Sequence, residues 1–325
     1  MVDFSKDFIH LRNRSAYSLA CGAISIQKLV DLALAHQMPA TAISDIDHMF
    51  GVMEFAALAS KTGLQPLIGC DFAVEIDVKT KHGDDISQKG RLLAIALNEQ
   101  GYVNLMALVS QKALKSFEHG HDDEFMLGLQ DLKTYHHGLI ILDGGWGGPA
   151  GQALLNGQFE QAKSMTKILS EIFKDHYYIE LMRTKRKQEK ICEKPLIEMA
   201  YHYHLPLVAS NDCHYPDASF WQAHEALLCI NRDQILDEEN KIGTGEHYFK
   251  SSAQMRALFK DIPEACNNTL SIAQRCAFMP TPRRPLLPKI TLDKNLDSNH
   301  ILAKKAKKGL KTRLKNAQDQ DEKSD

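Results

Sequence analysis

The stretch "KPLIEMAYHYHLPLVASNDCH", Lys194 to His214, shows a helix-then-strand pattern that recurs along the chain. Its first half, residues 194–204, carries apolar residues at helical spacing, and "PLVAS" (206–210) is a short β-rich run. Asp212 stands two residues beyond that run, and His214 follows it. A helix that leads into an apolar strand ending in polar side chains is typical of parallel α/β proteins.

Similar β-rich runs alternate with amphipathic helical segments through most of the sequence. The predicted strands cover residues 8–12, 40–44, 66–76, 91–97, 138–143, 176–181 and 206–210. This alternation predicts an α/β protein with a largely parallel sheet of seven strands, either open or closed into a barrel.

Composition limits the class of protein. The 325 residues are 44% hydrophobic and 25% charged, which is ordinary for a globular chain with one large domain and a smaller one. The formal net charge of −2 gives no global basic signal, so any nucleic-acid contact would need a local patch. The seven cysteines form no CxxC pair, and no apolar run approaches the roughly 20 residues of a membrane helix. We therefore expect a cytoplasmic protein with reduced thiols and no membrane contact.

Acidic side chains follow or lie within several of the predicted strands. Because the ends of parallel strands meet at one rim, these side chains are expected to lie there together with an imidazole. Such a ring is what a metal-dependent hydrolase requires, although exposed strand ends also favour acids as turn formers. The residues are Asp45, Asp71, Asp143, Glu180, Asp212 and His214.

The first strand does not fit a metal site. In "FIHLRNRSAYS" (8–18), the alternate residues His10, Arg12 and Arg14 are expected to project to one face. Arginine has no lone pair and does not lose its proton in a protein, so it cannot bind a cation. A rim that contains two guanidiniums is therefore expected to repel metal ions.

The order of motifs resembles a known family. "FIHLRNRSAYSL" (8–19), "MPATAISDIDHMFGVMEF" (38–55), "HHGLIILDGGWGG" (136–148), "LPLVASNDCHYPDASFWQAHEALLCI" (205–230) and "EHYFKSSAQMRALFKDIPEACNNTLSIAQRC" (246–276) resemble successive blocks of one region. That region is the N-terminal PHP (polymerase and histidinol phosphatase) part of bacterial replicative DNA polymerase III alpha subunits. The resemblance implies an irregular seven-stranded (β/α) barrel of the PHP type.

The resemblance also implies a division into three segments. Residues 1–245 correspond to the PHP domain and residues 246–283 to a helical extension. Residues 284–325 correspond to a proline-containing linker and a basic helix that leads toward a palm domain, beyond the last residue of this sequence. The basic run Lys304 to Lys315 lies in this last segment.

In PHP domains that keep their metals, the first motif resembles HxHxH and its later histidines are ligands. Here the corresponding positions are His10, Arg12 and Arg14. The second motif of the family ends its strand with Asp and then His, whereas this chain has Asp45 followed by Ile46. Both motifs have therefore lost ligands.

Three later positions differ as well. A family Glu is matched by Asp71, a family His by Arg91 and a family Cys by Gly145. Only the Asp-x-His block is intact, as Asp212 and His214. Too few ligands remain to hold a metal tightly.

We expect three guanidiniums to occupy the vacated centre and to pair with three carboxylates. A like charge about 4 Å away costs roughly 4 kcal/mol at an effective dielectric near 20, and a dication doubles that cost. The predicted vestigial site consists of Arg12, Arg14 and Arg91 with Asp45, Asp71 and Asp212, beside His214.

The resemblance implies that the parent protein is a DNA-directed DNA polymerase, a nucleotidyltransferase that holds Mg²⁺ on palm carboxylates. This region is then expected to be a catalytically inactive scaffold without a cofactor. Its implied partners are the remainder of the polymerase chain, a proofreading exonuclease subunit and, through the parent holoenzyme, DNA. The alternative is a metal-dependent phosphoesterase or 3′–5′ exonuclease that uses Zn²⁺ or Mn²⁺ on Asp45, Asp71, Asp212 and His214.

Overall fold

The computed structural model describes residues 7–79, 85–119, 125–236, 241–285 and 297–321. The chain divides into two compact units, Met1–Thr281 and Pro282–Asp325. The expected domain boundary at residue 245 falls inside the first unit, and the expected boundary at residue 283 lies two residues beyond the division. None of the helices in the described ranges combines the length and the apolar character that a membrane span requires.

The first unit contains seven strands and ten α-helices among its described residues. The strands are β1 (Ala40–Ile46), β2 (Gln65–Lys79), β3 (Asp85–Ala96), β4 (Leu127–Gly128), β5 (Leu139–Leu142), β6 (Tyr177–Met182) and β7 (Leu207–Ser210). The helices are α1 (Ile26–Ala35), α2 (Val52–Thr62), α3 (Glu99–His119), α4 (Leu129–Thr134), α5 (Pro149–Leu155), α6 (Phe159–Phe173), α7 (Lys187–His202), α8 (Trp221–Asn231), α9 (Ser252–Leu258) and α10 (Pro263–Arg275). The second unit contains α11 (Ser298–Asp321).

Local signals in the sequence explain where several helices begin and end. The Ser25 hydroxyl accepts a hydrogen bond from the Lys28 N–H and caps α1. Gly63 ends α2 in the left-handed conformation, with φ of 76°, which costs glycine little. Pro263 opens α10, where a missing N–H does no harm.

The sheet has the order β1-β2-β3-β5-β6-β7, and β4 pairs with β2 outside this path. The pairs β1–β2, β5–β6 and β6–β7 are parallel, as predicted. In contrast, β3 is antiparallel to both β2 and β5. Six of the seven predicted strands coincide with β1, β2, β3, β5, β6 and β7, and the predicted seven-stranded α/β architecture is confirmed.

The segment predicted as the first strand is not a regular strand, but it closes the sheet. The Ala42 N–H of β1 donates to the His10 carbonyl at 3.0 Å. On its other side, the Cys213 N–H donates to the Arg12 carbonyl at 2.9 Å, and the Arg14 N–H donates back to the Cys213 carbonyl at 2.8 Å. The segment therefore links β1 to the residues that follow β7, which turns the curled sheet into an irregular barrel.

The barrel has an apolar interior that is separate from the core under the outer helices. Its side chains alternate along the strands with side chains that face those helices. Helix α10 covers the end at which the strands begin, because the Gln65 side chain donates to the Ala273 and Cys276 carbonyls at 2.7 Å. The interior side chains include Ile9, Leu11, Ala42, Leu67, Leu93, Ile95, Ile140, Leu142, Tyr178 and Val208.

Candidate functional site

Three guanidiniums converge on one carboxylate at the opposite end of the barrel. Asp71 lies on β2, four residues beyond the interior residue Leu67, and its side chain is fully buried. Arg12 Nη1 and Arg14 Nη2 both contact Asp71 Oδ2, and Arg91 Nε donates to Oδ1 at 2.9 Å. Both oxygens of Asp71 are therefore occupied by permanently charged donors.

Arg12 joins this carboxylate to a second one. Its Nε donates to Glu180 Oε1 at 2.8 Å, and its Nη2 donates to Oε2 at 2.6 Å. This is the bidentate arrangement that guanidinium and carboxylate planes favour. The Ser210 hydroxyl of β7 also donates to Oε1, so Glu180 is held both by the N-terminal segment and by β7.

Arg14 extends the cluster to the residues that follow β7. Its Nε donates to Asp212 Oδ1 at 3.0 Å, and its Nη1 donates to the Ser44 carbonyl at 2.6 Å. The other oxygen of Asp212 lies 3.0 Å from His214 Nε2. We call the set of Arg12, Arg14, Arg91, Asp71, Glu180 and Asp212 the charged cluster.

Burial and neighbouring charges shift the pKa values of these groups in opposite directions. Burial alone would raise the pKa of Asp71, but Arg14, Arg91 and Arg12 hold it well below its ordinary value. The pKa of Asp212 is also lowered, because Arg14 and His214 outweigh its burial. Burial alone would lower the pKa of His214, yet Asp212 raises it to about 10. Asp71, Asp212 and His214 are therefore charged at neutral pH.

Asp45 lies outside the charged cluster, and the prediction that it pairs with a guanidinium is wrong. Its carboxylate accepts hydrogen bonds from the Ser15 N–H, the Ser15 hydroxyl and the Ser18 hydroxyl at 2.6–2.7 Å. The reason is that successive side chains of β1 point to opposite faces of the sheet. Asp45 lies two residues after Ile43, which faces the helices, whereas Ala42 faces the barrel interior.

The third carboxylate of the charged cluster is Glu180, whereas Asp45 was predicted in that role from the sequence. The sequence identified Glu180 as an acid near the end of a strand but gave it no partner. In the structure it lies on the same face of β6 as the interior residue Tyr178, because side chains two apart on a strand share a face. Two further charges were not predicted: Asp47 Oδ2 accepts from Arg91 Nη2 at 3.2 Å and from Lys112 Nζ at 2.6 Å.

Asp143, at the end of β5, behaves differently from the other acids. Its Oδ1 accepts from the Glu180 N–H at 2.7 Å and from the Gly145 N–H at 3.0 Å. Its Oδ2 is buried without a partner among the described residues. Burial raises the pKa of Asp143 to about 7, so this carboxyl is partly protonated at neutral pH.

His10 does not point into the charged cluster. Its Nε2 lies 2.8 Å from the Lys250 carbonyl, and its ring packs against Phe8 and Phe249. Burial lowers the pKa of His10 to about 3. Of the three residues of the first motif, only the two arginines reach the cluster.

The residues present do not fit the metal centre that the family resemblance implies. A cation needs lone pairs, and both oxygens of Asp71 and both of Glu180 already accept from Arg12, Arg14, Arg91 or Ser210. Within the described ranges, one group has ligand atoms at a suitable spacing, within 4.8 Å of one another: Asp212, His214 and His247. There too Asp212 is bonded on one oxygen to Arg14 and on the other to His214.

Comparisons with known proteins identify the family of the chain. Residues 10–184 match the PHP domain family, so the chain belongs to that family. It is 37% identical over 309 residues to the DNA polymerase III subunit alpha of Caulobacter vibrioides, covering 94% of this chain and 27% of that protein. It is 34% identical over 310 residues to the same subunit of Escherichia coli K12, covering 94% of this chain and 26% of that protein.

The chain thus corresponds to the N-terminal PHP region of DNA polymerase III alpha subunits. It spans about a quarter of the length of the curated relatives that it matches. Among solved structures, an amidohydrolase from Chromobacterium violaceum is similar with a TM-score of 0.42 and 14% identity, over 67% of this chain and 96% of that one. That likeness is too weak to bear on function.

Proposed function

We propose that this chain is the catalytically inactive PHP region of a cytoplasmic replicative DNA polymerase. It supports the polymerase fold, docks the proofreading exonuclease subunit and contacts DNA only through the complete enzyme. Polymerisation itself, with Mg²⁺ on palm carboxylates, belongs to residues outside these 325. This proposal rests on the family membership and on the relatives reported above.

The convergence of Arg12, Arg14 and Arg91 on Asp71 is the observation that carries the inactive assignment. A divalent ion placed about 4 Å from one guanidinium is repelled by roughly 8 kcal/mol at an effective dielectric of 20. Three guanidiniums multiply that cost, and none of them can be neutralised by losing a proton. Fixed positive charge therefore takes the role that cations have in metal-bearing relatives, and it neutralises the same carboxylates.

The rival function is hydrolysis of phosphoesters with Mn²⁺ or Zn²⁺ bound to Asp71, Asp212 and His214. It requires the guanidiniums to leave the carboxylates. It predicts a phosphodiesterase or phosphomonoesterase activity that rises with added Mn²⁺ and disappears in His214→Ala.

Elemental analysis and activity assays decide between the two functions. Purified full-length chain is dialysed against Mn²⁺ or Zn²⁺, and both bound metal and hydrolysis of a 3′-labelled oligonucleotide are measured. We expect less than 0.1 metal ion per chain and no difference from His214→Ala. Stoichiometric metal together with hydrolysis that requires His214 would refute the proposal.

The scaffold role has its own test. The chain is mixed with the exonuclease subunit of the same organism, and the mixture is analysed by size-exclusion chromatography. We expect a 1:1 complex that also forms in EDTA, because no metal takes part. Failure of the two proteins to co-elute at micromolar concentration would contradict the docking role while leaving the inactive assignment intact.

A further inference from the structure

A cavity of about 120 Å³ lies beside His214 and outside the charged cluster. Its walls come from the loop after β7, one side of α8 as far as Arg232, and residues 242–247, together with Cys21 and Arg186. It has room for roughly four water molecules. Arg12, Asp71 and Glu180 do not line it. We call it the side cavity.

The side cavity collects polar atoms that have no partner. Nine buried side-chain nitrogen or oxygen atoms lack a hydrogen bond within the described part of the chain, and four of them belong to residues that line this cavity. Since buried polar atoms are nearly always paired in folded proteins, such a concentration points to a ligand. The atoms are Tyr215 Oη, Trp221 Nε1, Thr244 Oγ1 and His247 Nε2.

The charge around the side cavity favours an anion. Arg186 and Arg232 line it, and Lys241 Nζ lies 4.5 Å from the centroid of the Trp221 ring. The acids nearby are already bonded. Glu225 accepts from the Ile242 and Gly243 N–H groups. Asp212 is held by Arg14 and His214.

The unpartnered atoms include both donors and an acceptor, so a matching ligand must also donate a hydrogen bond. Trp221 Nε1 is only a donor, and the Thr244 hydroxyl can donate. His247 Nδ1 lies 3.0 Å from the Asp212 carbonyl, which only accepts, so Nδ1 carries the hydrogen. In the neutral ring, Nε2 then presents a lone pair. His247 is only 5% exposed, so this lone pair is buried.

We propose that the side cavity binds a phosphate-type oxyanion, either free or at the end of a phosphomonoester. The Trp221 and Thr244 donors, with Arg186 and Arg232, bind the anionic oxygens, and the P–OH group donates to His247 Nε2. Monohydrogen phosphate supplies both kinds of group, whereas sulfate has no proton to donate at neutral pH. Binding needs no metal and involves no bond cleavage.

The indole N–H signal of Trp221 reports binding in the unaltered protein. These 325 residues contain two tryptophans, so the ¹⁵N-labelled 325-residue chain gives two indole signals, and Trp146→Phe identifies the one from Trp221. Titration with inorganic phosphate is expected to move the Trp221 signal to saturation. Sulfate is expected to bind at least ~10-fold more weakly, which is the loss of about one hydrogen bond.

A matched pair of variants tests the contact. Thr244→Val keeps the shape and removes the hydroxyl, and we expect about 10-fold weaker phosphate binding. Thr134→Val, at an exposed position on α4, is the control and is expected to bind as the unaltered protein does. No saturable shift of the Trp221 signal, or equal affinity of Thr244→Val, would overturn the proposal. The titration of the unaltered protein decides the matter if Thr244→Val does not fold.

Two oligonucleotides distinguish the source of the anion. One carries a 5′-phosphate and the other has the same sequence with a 5′-hydroxyl. Tighter binding of the first than of inorganic phosphate identifies a phosphomonoester end, and equal or weaker binding identifies the free anion. Both outcomes support the cavity as an oxyanion site. An equal shift of the Trp221 signal with the 5′-hydroxyl oligonucleotide would contradict it.

Discussion

Two adjacent layers of the barrel interior are built from the same strands but are held by different forces. The lower layer contains Leu67 on β2 and Tyr178 on β6, and the upper layer contains Asp71 and Glu180 farther along those strands. In the lower layer, each apolar side chain contributes by the area that it removes from water, about 25 cal/mol per Å². In the upper layer, each charge is stable only because a specific opposite charge meets it.

The two layers should therefore respond differently to substitution. Loss of apolar area is graded, because neighbours still pack against what remains. Loss of one charge in a buried cluster leaves its partners uncompensated, and that cost exceeds the worth of the pair itself.

Asp71→Asn should have the largest effect. The substitution keeps the shape of the side chain but leaves Arg12, Arg14 and Arg91 around a neutral amide. We expect the free energy of unfolding to fall by at least about 3–5 kcal/mol in urea titrations. Asp77→Asn, at an exposed position on the same strand, is the control. A loss below about 1 kcal/mol for Asp71→Asn would mean that the upper layer is not held by charge.

Arg12→Lys should have the next largest effect, even though the net charge is unchanged. A lysine ammonium cannot make the bidentate contact with Glu180 and also reach Asp71. We expect a loss of about 1.5–3 kcal/mol in the same titration, which is the worth of one hydrogen bond to a charged group. Arg313→Lys on the exposed face of α11 should change nothing measurable. Full tolerance of Arg12→Lys would show that charge alone, without geometry, is sufficient.

Asp143→Asn should change how stability depends on pH. With a pKa near 7, Asp143 stays protonated in the folded protein at pH values where the unfolded chain has lost this proton. The folded state then binds more protons than the unfolded state, so the free energy of unfolding falls as pH rises from about 4 to about 7. The slope from this group approaches 1.4 kcal/mol per pH unit.

Asparagine has no such proton, so the pH profile of Asp143→Asn should lack this component. The check is a series of urea titrations between pH 4 and pH 8 on both proteins. Parallel profiles would show that Asp143 titrates normally.

Ile95→Val, in the apolar layer, should have a small and graded effect. Ile95 is completely buried, and the substitution removes one methylene. We expect a loss of about 0.5–1.5 kcal/mol, well below the loss in Asp71→Asn. A loss as large as that of Asp71→Asn would abolish the distinction between the layers.

Removal of metal should have the smallest effect of all. A metal present at 100 times its dissociation constant would stabilise the folded state by about 2.7 kcal/mol. Because the charged cluster already balances its carboxylates, we expect EDTA to leave the Tm unchanged. A clear fall in Tm that Zn²⁺ or Mn²⁺ reverses would indicate a bound ion.

Much of the fold was predictable from the sequence, because mainly apolar strands alternate with amphipathic helical segments along the chain. The direction of β3 was not, since the pattern of apolar residues is the same for either direction. That direction matters, because an antiparallel β3 brings Arg91, opposite Ala73 on β2, to the rim where Asp71 lies. The segment at 8–12 was predicted as a strand because its composition is β-like, but it makes only scattered backbone hydrogen bonds.

The candidate site was predictable in its residue types and only partly in its pairings. Arg12, Arg14, Arg91, Asp71 and Asp212 do come together. The exchange of Asp45 for Glu180 depends on which face of a strand is inside, and a single sequence does not reveal that for a strand buried on both faces. Partners 168 residues apart, such as Arg12 and Glu180, are set by the closed barrel and not by local pattern.

The closure of the barrel by residues near the N-terminus has a consequence during synthesis. Arg14 leaves the ribosome 198 residues before Asp212, which at 5–20 residues per second is an interval of about 10–40 s. Through that interval Arg14 can meet Asp71 once β2 has been made, but its second carboxylate partner, Asp212, does not yet exist. The barrel can be closed only after Cys213 has been synthesised, and until then this segment is open to chaperones and to any polyanion in the cell.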